Sequence, residues 1–308
     1  MTRVVVDADY LVYAAGFAVE KTKYDLTVVR PDGTEAQVIL DSAEEVRVWL
    51  SDEPEGTVHQ VDKLVEAEPL DHALFLVNRT LGAVDTRLTE AGIEFEKMEL
   101  FITGKGNFRD KIATIKGYKA NRDPTHRPVH YKSIRRFLKN RWGAEEVHGI
   151  EADDAVAMVA AGYDYDPDRV VIVTVDKDLL TVPGRQYNFR TKRLRDVSKE
   201  EALLSFYRQL VTGDPVDNIG GAYKAGAKAA EKLNENCSES EMYHYVLGLY
   251  ERGRGMKGCP YAHLSAEDAL LENARLLHLL RRPGDVWRPP TLEVSSRKDS
   301  GPVSTEKA

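Results

Sequence analysis

The order of hydrophobic and polar positions along the chain predicts short buried strands that alternate with helices. Residues 3–6, 99–103 and 169–175 are mostly apolar runs rich in β-branched side chains. Residues 73–91 instead place leucines and valines at helical spacing, and this pattern stops before Gly92. β-branched runs that alternate with helices are typical of a parallel sheet covered on both faces. We therefore predict an α/β fold with a mostly parallel central sheet.

Turn and capping residues locate further elements. The Pro-Asp-Gly turn at residues 31–33 separates two β-rich runs, which predicts a hairpin over residues 24–40, followed by a peripheral acidic stretch to residue 68. Ser198 and Glu201 have the spacing of a capping box, which predicts a helix that ends near Val211. Helices are also expected over three shorter segments, residues 150–161, 227–233 and 268–280.

Charge is distributed unevenly along this chain of 308 residues, whose formal net charge is −7. Residues 20–99 hold 8 Lys/Arg against 19 Asp/Glu, whereas residues 103–142 hold 12 Lys/Arg against 2 Asp/Glu. Aromatic side chains are interleaved with the cations of the second segment. A local basic surface determines nucleic-acid affinity, and aromatic rings can stack on bases. The same segment could equally be a solvated basic face, so the pattern alone leaves both interpretations open.

Acidic residues gather in four short clusters, two of which directly follow predicted strands. The clusters are Asp7 with Asp9, Glu151 with Asp153 and Asp154, Asp176 with Asp178, and Asp214 with Asp217. In an open parallel sheet, functional groups collect at the carboxyl ends of the strands. Neighbouring carboxylates repel one another unless cations intervene, and oxygen ligands select hard ions such as Mg²⁺ or Mn²⁺. The clusters therefore predict a site for two divalent ions, which would activate water and stabilise a leaving oxygen.

Each acidic cluster also has an ordinary explanation when it is taken alone. Asp153 and Asp154 could simply favour a helix N-terminus, an effect of roughly 0.3–1 kcal/mol. Asp7 and Asp9 could form a turn, or the strand-end motif of a haloacid-dehalogenase-type phosphatase, although Tyr10 does not match the usual pattern after that motif. The coincidence of four clusters in one chain favours the metal site. A glycine-rich loop of the Walker type is missing from the sequence, so ATP is not implied.

Six motifs, in the same order as in the family, resemble those of the 5′–3′ exonuclease and flap endonuclease family, particularly its bacteriophage exonucleases. They are VDAD at residues 6–9, NFRDK at 107–111, GYKANR at 117–122, IEADD at 150–154, VDKD at 175–178 and TGDPVDNI at 212–219. The resemblance spans residues 3 to about 235. It implies an enzyme that hydrolyses phosphodiester bonds of DNA at 5′ ends or flaps, in the cytoplasm of a bacterium or a phage-infected cell.

The resemblance also implies roles for individual residues. Asp7, Glu151, Asp153 and Asp154 would hold one Mg²⁺ or Mn²⁺ ion, and Asp176, Asp178, Asp214 and Asp217 would hold the other. Lys119 and Arg122, three apart on one helical face, would grip the scissile phosphate. The remaining expected nucleic-acid contacts are Tyr118, which would stack on a base, Arg109, Lys224 and Lys228.

The resemblance implies a domain organisation as well. A catalytic domain would span residues 1–200, with the inserted hairpin and a helical arch at about 119–145 for a 5′ single strand. A helical region over residues 201–283 would contain a helix–three-turn–helix at 217–233, whose loop would hold K⁺. Residues 284–308, rich in proline, serine and charge, have the composition of a disordered tail. We expect a monomer without a membrane segment.

Three features of the sequence depart from the family pattern, and one is the inserted hairpin at residues 24–40 with the acidic segment after it, for which we assign no function. Cellular members have an aspartate just after the second strand, where this chain reads Phe101-Ile-Thr-Gly104, so Asp9 or a water would replace that ligand. Residues 221–226 also differ from the usual glycine- and proline-rich loop. A PIN-type ribonuclease and a non-catalytic nucleic-acid-binding relative are the alternatives. The motifs leave open whether exonuclease or flap endonuclease activity prevails, and whether an RNA strand of an RNA–DNA hybrid is also cut.

Overall fold

The computed structural model describes residues 1–123 and 125–291. The strands, in chain order, are β1 (Arg3–Asp7), β2 (Glu20–Val29), β3 (Glu35–Leu40), β4 (Val58–Ala67), β5 (Met98–Asn107), β6 (Glu145–Gly149), β7 (Val170–Thr174), β8 (Gly184–Asn188), β9 (Arg193–Val197), β10 (Gly213–Asp214) and β11 (Ile219–Gly220). The helices are α1 (Asp9–Phe17), α2 (Ala43–Ser51), α3 (Leu70–Glu90), α4 (Arg109–Ile112), α5 (Tyr131–Trp142), α6 (Ala152–Gly162), α7 (Lys199–Thr212), α8 (Ala227–Ala230), α9 (Glu239–Arg254) and α10 (Ala266–Leu277).

A six-stranded sheet with the order β6-β5-β1-β7-β8-β9 forms the centre of the fold. β1 pairs in parallel with both β5 and β7, and only the pair β8–β9 is antiparallel. The predicted α/β fold with a mostly parallel sheet is therefore confirmed. Because β1 and β7 are parallel neighbours, their carboxyl ends meet at one edge of the sheet, and the residues after each strand lie close together.

Helices cover both faces of this sheet, which explains the continuous apolar runs. Val4 and Val6 of β1 pack into a core with helices α1, α3 and α5, while Val5 points to the opposite face and packs with α6. All three valines are fully buried. A strand buried on both faces cannot alternate polar and apolar residues, since each residue contacts one core or the other.

The segment between α1 and α3 is a small domain-like insertion. β2, β3 and β4 form an antiparallel sheet in the order β3-β2-β4, and α2 packs against its inner face around Leu26, Val28 and Val46. The predicted hairpin is confirmed, with β2 beginning earlier than expected, at Glu20. The acidic stretch after it, predicted only to be peripheral, contains α2 and the exposed strand β4.

The second core consists of helices α7, α9 and α10. Its largest buried side chains are Tyr207, Tyr250 and Tyr261. The predicted cap of α7 is confirmed, since the Ser198 hydroxyl accepts a hydrogen bond of 3.0 Å from the Glu201 amide. The helix expected over residues 227–233 is shorter, because α8 is a single turn.

The first residues of the segment predicted to be a disordered tail are packed against the fold. Trp287, which lies in the segment assigned to the tail, is buried and packs against Phe206 and Tyr243, with ring centroids 5.8 and 6.4 Å apart respectively. The rest of the predicted tail, from residue 292, lies outside the described residues. Within residues 1–123 and 125–291, no helix is long and apolar enough to cross a membrane.

The segment predicted as a helical arch contains one helix, α5. Residues 113–123 and 125–130 form turns and irregular backbone instead. The prediction that Lys119 and Arg122 share one face of a helix is therefore wrong. Lys119 has a left-handed backbone with φ of 53° and belongs to a turn. Hydrogen bonds hold this turn on the β10–β11 loop, where the Lys119 amide donates to the Asp217 carbonyl and the Asn218 side chain donates to the Gly117 carbonyl.

Candidate active site

The carboxyl ends of β1 and β7 open into a cleft of about 720 Å³. Carboxylates from all four predicted clusters line it. They are Asp7 and Asp9 after β1, Glu151 and Asp153 at the start of α6, Asp176 and Asp178 after β7, and Asp214 and Asp217 in the β10–β11 hairpin. Four segments that are far apart in sequence therefore meet at one place, because the parallel sheet brings the strand ends together.

Burial raises the pKa of five of these carboxylates above the ordinary value: Asp7, Asp9, Asp153, Asp176 and Asp178. Burial, together with the charges of Asp9 and Asp176, raises the pKa of Asp7 to about 8. Burial also raises the pKa of Asp153 well above its ordinary value, with contributions from Asp154 and Glu151. Like charges in a poorly solvated site disfavour one another, and a bound cation would relieve both penalties.

Asp176 and Asp178, after β7, show the same effect, whereas hydrogen bonds from Lys177 and the Val216 amide help to lower the pKa of Asp214. Burial, with Asp176 and Asp214 as neighbours, raises the pKa of Asp178 to about 7. Gln209 of α7 bridges this group, because its side-chain nitrogen donates to Asp178 Oδ1 at 2.6 Å and lies 3.4 Å from Asp214 Oδ2. The sequence analysis did not identify Gln209, whose only local signal is its position one helical turn before the glycine that ends α7.

Three side chains of the turn at residues 117–122 bind the carboxylates of Glu151 and Asp217. The Tyr118 hydroxyl lies 2.6 Å from Glu151 Oε2 and 2.8 Å from Asp217 Oδ2. The Lys119 ammonium contacts Glu151 and lies 3.4 Å from Asp217 Oδ2, and Arg122 Nη2 donates to Asp217 Oδ1 at 2.5 Å. Burial alone would raise the pKa of Glu151, but the charges of Lys119 and Arg109 outweigh it and lower that pKa.

The donor set fits hard divalent cations by its chemistry. Every candidate ligand is a carboxylate, and the side-chain oxygen of Gln209, also at this site, is buried without a hydrogen-bond partner. As the side chains stand, no three acidic, histidine or cysteine groups within residues 1–123 and 125–291 converge on one metal position. The cations of Lys119, Arg122 and Lys177 instead neutralise Glu151, Asp217 and Asp214.

Asp154 and Arg109 form a buried ion pair with each other. Arg109 is 1% exposed and Asp154 is 0% exposed, and their two hydrogen bonds measure 2.6 and 2.9 Å. Asp154 also accepts the backbone amides of Glu151 and Leu280, so both of its oxygens are occupied. A buried carboxylate with these partners has no free lone pair for a cation, and a buried guanidinium cannot reach nucleic acid. These contacts argue against the predicted metal role of Asp154 and the predicted nucleic-acid role of Arg109, both of which stay predictions.

Asp9 lies beside Thr103, near the position where the resemblance leads us to expect an additional aspartate. Its carboxylate accepts the Thr103 amide at 3.1 Å, at the end of the second strand of the predicted pattern. The Thr103 hydroxyl in turn accepts the Ala152 amide at 2.9 Å. A side chain at Gly104 is excluded, because a Cβ there would collide with the Val147 carbonyl oxygen and the His148 ring.

The two lysines predicted to contact nucleic acid near α8 lie away from the cleft. Lys224 and Lys228 are both exposed, and Lys224 has a left-handed backbone with φ of 58°. Its ammonium lies 5.4 Å from the centroid of the Tyr223 ring. Both cations are therefore accessible from solvent.

Comparison with solved structures defines the class of fold. T5 5′-exonuclease, solved with divalent zinc ions, aligns with 90% of this chain and 89% of its own, at a TM-score of 0.50 and 16% identity. The chain therefore has the α/β fold of the 5′ nucleases. No protein-family model matches it.

Two curated relatives carry names from the same class. Flap endonuclease Xni of Shewanella amazonensis is 29% identical over 158 residues, which cover 46% of this chain and 62% of the relative. A 5′–3′ exonuclease of Buchnera aphidicola is 25% identical over 194 residues, which cover 59% of this chain and 65% of the relative. The chain thus spans slightly less than two thirds of the curated relatives that it matches. The resemblance to 5′–3′ exonucleases and flap endonucleases is confirmed.

Proposed function

We propose that the protein is a metal-dependent nuclease that hydrolyses phosphodiester bonds of DNA at 5′ ends and 5′ flaps. The observation that carries this proposal is the single cleft at the carboxyl ends of β1 and β7. Eight carboxylates and the cations of Lys119 and Arg122 line this cleft. Curated relatives named flap endonuclease and 5′–3′ exonuclease support the same activity.

Two Mg²⁺ or Mn²⁺ ions would be held by the carboxylates. Asp7, Glu151 and Asp153, with Asp9 in place of Asp154, form the set near β1. The set near β7 consists of Asp176, Asp178, Asp214 and Asp217. When bound, such ions lower the pKa of an attacking water and stabilise the charge on a leaving oxygen. Gln209, through its hydrogen bond to Asp178, would orient a carboxylate of the second set.

Lys119 and Arg122 would hold the scissile phosphate. Both cations lie at the cleft on a turn that is fixed to the β10–β11 loop by one backbone hydrogen bond and by the Asn218 side chain. Long side chains can move from a carboxylate to a phosphate without moving that turn. Positive charge placed where negative charge develops stabilises the transition state of phosphoryl transfer. Tyr118 would hold Glu151 and Asp217 through its hydroxyl and would stack on a base only if that hydroxyl were released.

Other parts of the proposal concern the grip on the substrate. Lys224 and Lys228 would contact backbone phosphates of a duplex, which positions an enzyme without reading sequence. K⁺ would bind the loop at residues 219–226 and strengthen that grip. We further propose that the protein acts as a monomer and that RNA–DNA hybrids are bound as well as DNA.

The test compares four end-labelled substrates at equal concentration: single-stranded DNA, blunt duplex, 5′-flap duplex and RNA–DNA hybrid. We expect cleavage from the 5′ end or at the flap junction with Mg²⁺ or Mn²⁺, none in excess chelator and none with Ca²⁺, which coordinates more loosely. Repeating the assay in K⁺ and in Na⁺ tests the potassium site. Cleavage of RNA alone would support a PIN-type ribonuclease, and full turnover in chelator would exclude the metal mechanism.

A further inference from the structure

Arg135 of α5 connects this helix to the central sheet beside the candidate active site. Its side chain is only 13% exposed, whereas the other four cations of α5 are exposed to solvent. Arg135 Nη2 donates to the Thr103 carbonyl at 2.7 Å and to Glu146 Oε1 at 2.9 Å. Arg135 Nη1 lies 3.5 Å from Asp9 Oδ1. One guanidinium therefore joins α5 to β5, to β6 and to the first residue of α1.

Thr103 is the residue at which these segments meet. Its amide donates to both oxygens of the Asp9 carboxylate, at 3.1 and 3.2 Å, and its carbonyl accepts the hydrogen bond from Arg135. Its hydroxyl accepts the Ala152 amide at 2.9 Å, between two other carboxylates of the cleft, Glu151 and Asp153. Each polar group of Thr103 thus connects one element of the site to another.

These contacts treat the two oxygens of Asp9 differently. Within the part of the chain that the structure describes, Oδ1 is contacted by both Thr103 and Arg135, whereas Oδ2 is contacted by Thr103 alone. The carboxylate therefore has a set orientation, with Oδ2 as the more available oxygen. Asp9 lines the cleft, so this orientation decides how its free lone pairs are presented to a cation.

Arg135 differs from the cations that the proposed function assigns to the scissile phosphate. Lys119 and Arg122 line the cleft, but Arg135 does not belong to the described residues of that lining. Glu146 neutralises Arg135, and the Lys139 ammonium also lies 2.6 Å from Glu146. A guanidinium that is already paired can orient a neighbouring carboxylate with little repulsion of a divalent ion. Hydrogen-bond partners of metal-binding side chains typically change metal affinity by about 10- to 100-fold.

We propose that Arg135 is a positioning residue for Asp9, whose carboxylate it holds, together with Thr103, in the orientation that binds a divalent ion. This inference rests on the proposed function, because it takes Asp9 as a member of the carboxylate set near β1. It predicts that loss of Arg135 weakens metal affinity through Asp9 and removes no contact to DNA.

The experiment measures Mn²⁺ binding to the full chain by calorimetry, without DNA. It compares wild type, Arg135→Ala, Asp9→Asn and the variant that combines both changes. We expect Arg135→Ala to bind Mn²⁺ about tenfold more weakly. Asp9→Asn should lose at least as much, and the combined variant should lose no more than Asp9→Asn, because Arg135 acts through Asp9. An equal effect of Arg135→Ala in both backgrounds, or unchanged affinity in Asp9→Asn, would overturn the proposal.

Arg136→Ala is the matched control, since it removes the same charge from the next residue of α5, whose side chain is exposed. It should bind Mn²⁺ as wild type does, and a loss as large as that of Arg135→Ala would contradict positioning. Arg135→Lys keeps the charge without the planar fork of donors and should recover part of the affinity. If urea denaturation shows that Arg135→Ala folds poorly, the same comparison is made with Arg135→Lys. Its smaller loss should again disappear in the Asp9→Asn background.

Cleavage kinetics separate positioning from contact with DNA. At saturating DNA, Arg135→Ala should need about tenfold more Mn²⁺ for half-maximal cleavage and should approach the wild-type rate at high Mn²⁺. Its affinity for DNA at saturating Ca²⁺ should equal that of wild type. Weaker DNA binding with a smaller salt dependence would instead identify Arg135 as a phosphate contact and would overturn the proposal.

Failure of the inference and failure of the proposed function are distinguishable. Mn²⁺ binding without DNA tests the link between Arg135 and Asp9, whereas cleavage by wild type tests the nuclease alone. If wild type cleaves and Arg135→Ala binds Mn²⁺ normally, only the positioning role is wrong. If wild type cleaves none of the four substrates, the nuclease function is wrong whatever the Mn²⁺ affinities are.

Discussion

Arg109 and Asp154 form a buried ion pair that fixes the start of α6 beside the candidate active site. Arg109 also donates to the carbonyls of Leu276 and His278 at 2.8 and 3.0 Å, and Asp154 accepts the Leu280 amide at 3.0 Å. The pair therefore connects the segment after α10 to the helix that begins with Glu151 and Asp153. We propose that the pair positions these carboxylates and does not bind substrate.

Breaking this pair should destabilise the protein strongly. Arg109→Ala leaves Asp154 as an uncompensated buried charge, so we expect a loss of about 3–5 kcal/mol in the free energy of unfolding. The measurement is urea denaturation followed by circular dichroism. The matched comparison uses two single variants. Asp154→Asn should lose stability, whereas Asp153→Asn should retain stability but bind Mn²⁺ more weakly. If both variants lost the same metal affinity and Asp154→Asn kept its stability, Asp154 would be a metal ligand after all.

The carboxylates near β7 should repel one another in metal-free buffer. Asp178→Asn removes a charge and is nearly isosteric, so we expect turnover to be lost while stability in chelator is unchanged or slightly higher. DNA binding should be retained. Thermal melting and single-turnover cleavage measure the two properties, and wild-type cleavage by this variant would show that Asp178 is not a ligand.

The pH dependence of stability without metal follows from the same carboxylates. Burial and like charges raise the pKa of Asp7 to about 8 and that of Asp178 to about 7, above the ordinary value of an unfolded aspartate. The folded state therefore holds more protons, and this contribution to stability is lost as pH rises through 7 to 8. Urea midpoints in chelator should fall between pH 6 and pH 9, by less in Asp178→Asn. A midpoint that rises over this range would contradict the assignment.

Lys119 and Lys224 should affect different steps if the proposed roles are correct. Lys119 lies in the catalytic cleft, so Lys119→Ala should lower the single-turnover rate even at saturating enzyme. Lys224 is exposed away from that cleft, so Lys224→Ala should weaken binding, reduce its salt dependence and spare the saturated rate. Wild-type saturated rates for both variants would mean that the turn at residues 117–122 has no catalytic role.

Gly104 should not tolerate a side chain. A Cβ at this position meets the Val147 carbonyl, which belongs to a paired strand and cannot move away freely. We expect Gly104→Ala to lose more than about 1 kcal/mol of stability. Gly162→Ala, at the end of α6 with open space around its Cβ, serves as the control and should be neutral or slightly stabilising. Similar urea midpoints for both variants would contradict the steric argument.

Local patterns in the sequence determined the parts of this protein that depend on local physics. Strand runs buried on both faces, the capping residues of α7 and the turn of the β2–β3 hairpin each follow from spacing and residue type. The gathering of the acidic clusters was also predictable. Two of them follow parallel strands, and the ends of such strands must share an edge.

The tertiary structure decided which carboxylates of those clusters remain free to bind a cation. Asp153 and Asp154 are adjacent in sequence, yet Asp154 is paired with Arg109, 45 residues away, and with the amide of Leu280, 126 residues away. The spacing of residues along the sequence cannot show that a carboxylate is hydrogen-bonded to partners this far away in the chain. Burial and pairing between remote segments are properties of the packed chain, and only the packed chain shows which charged side chains are paired within the protein.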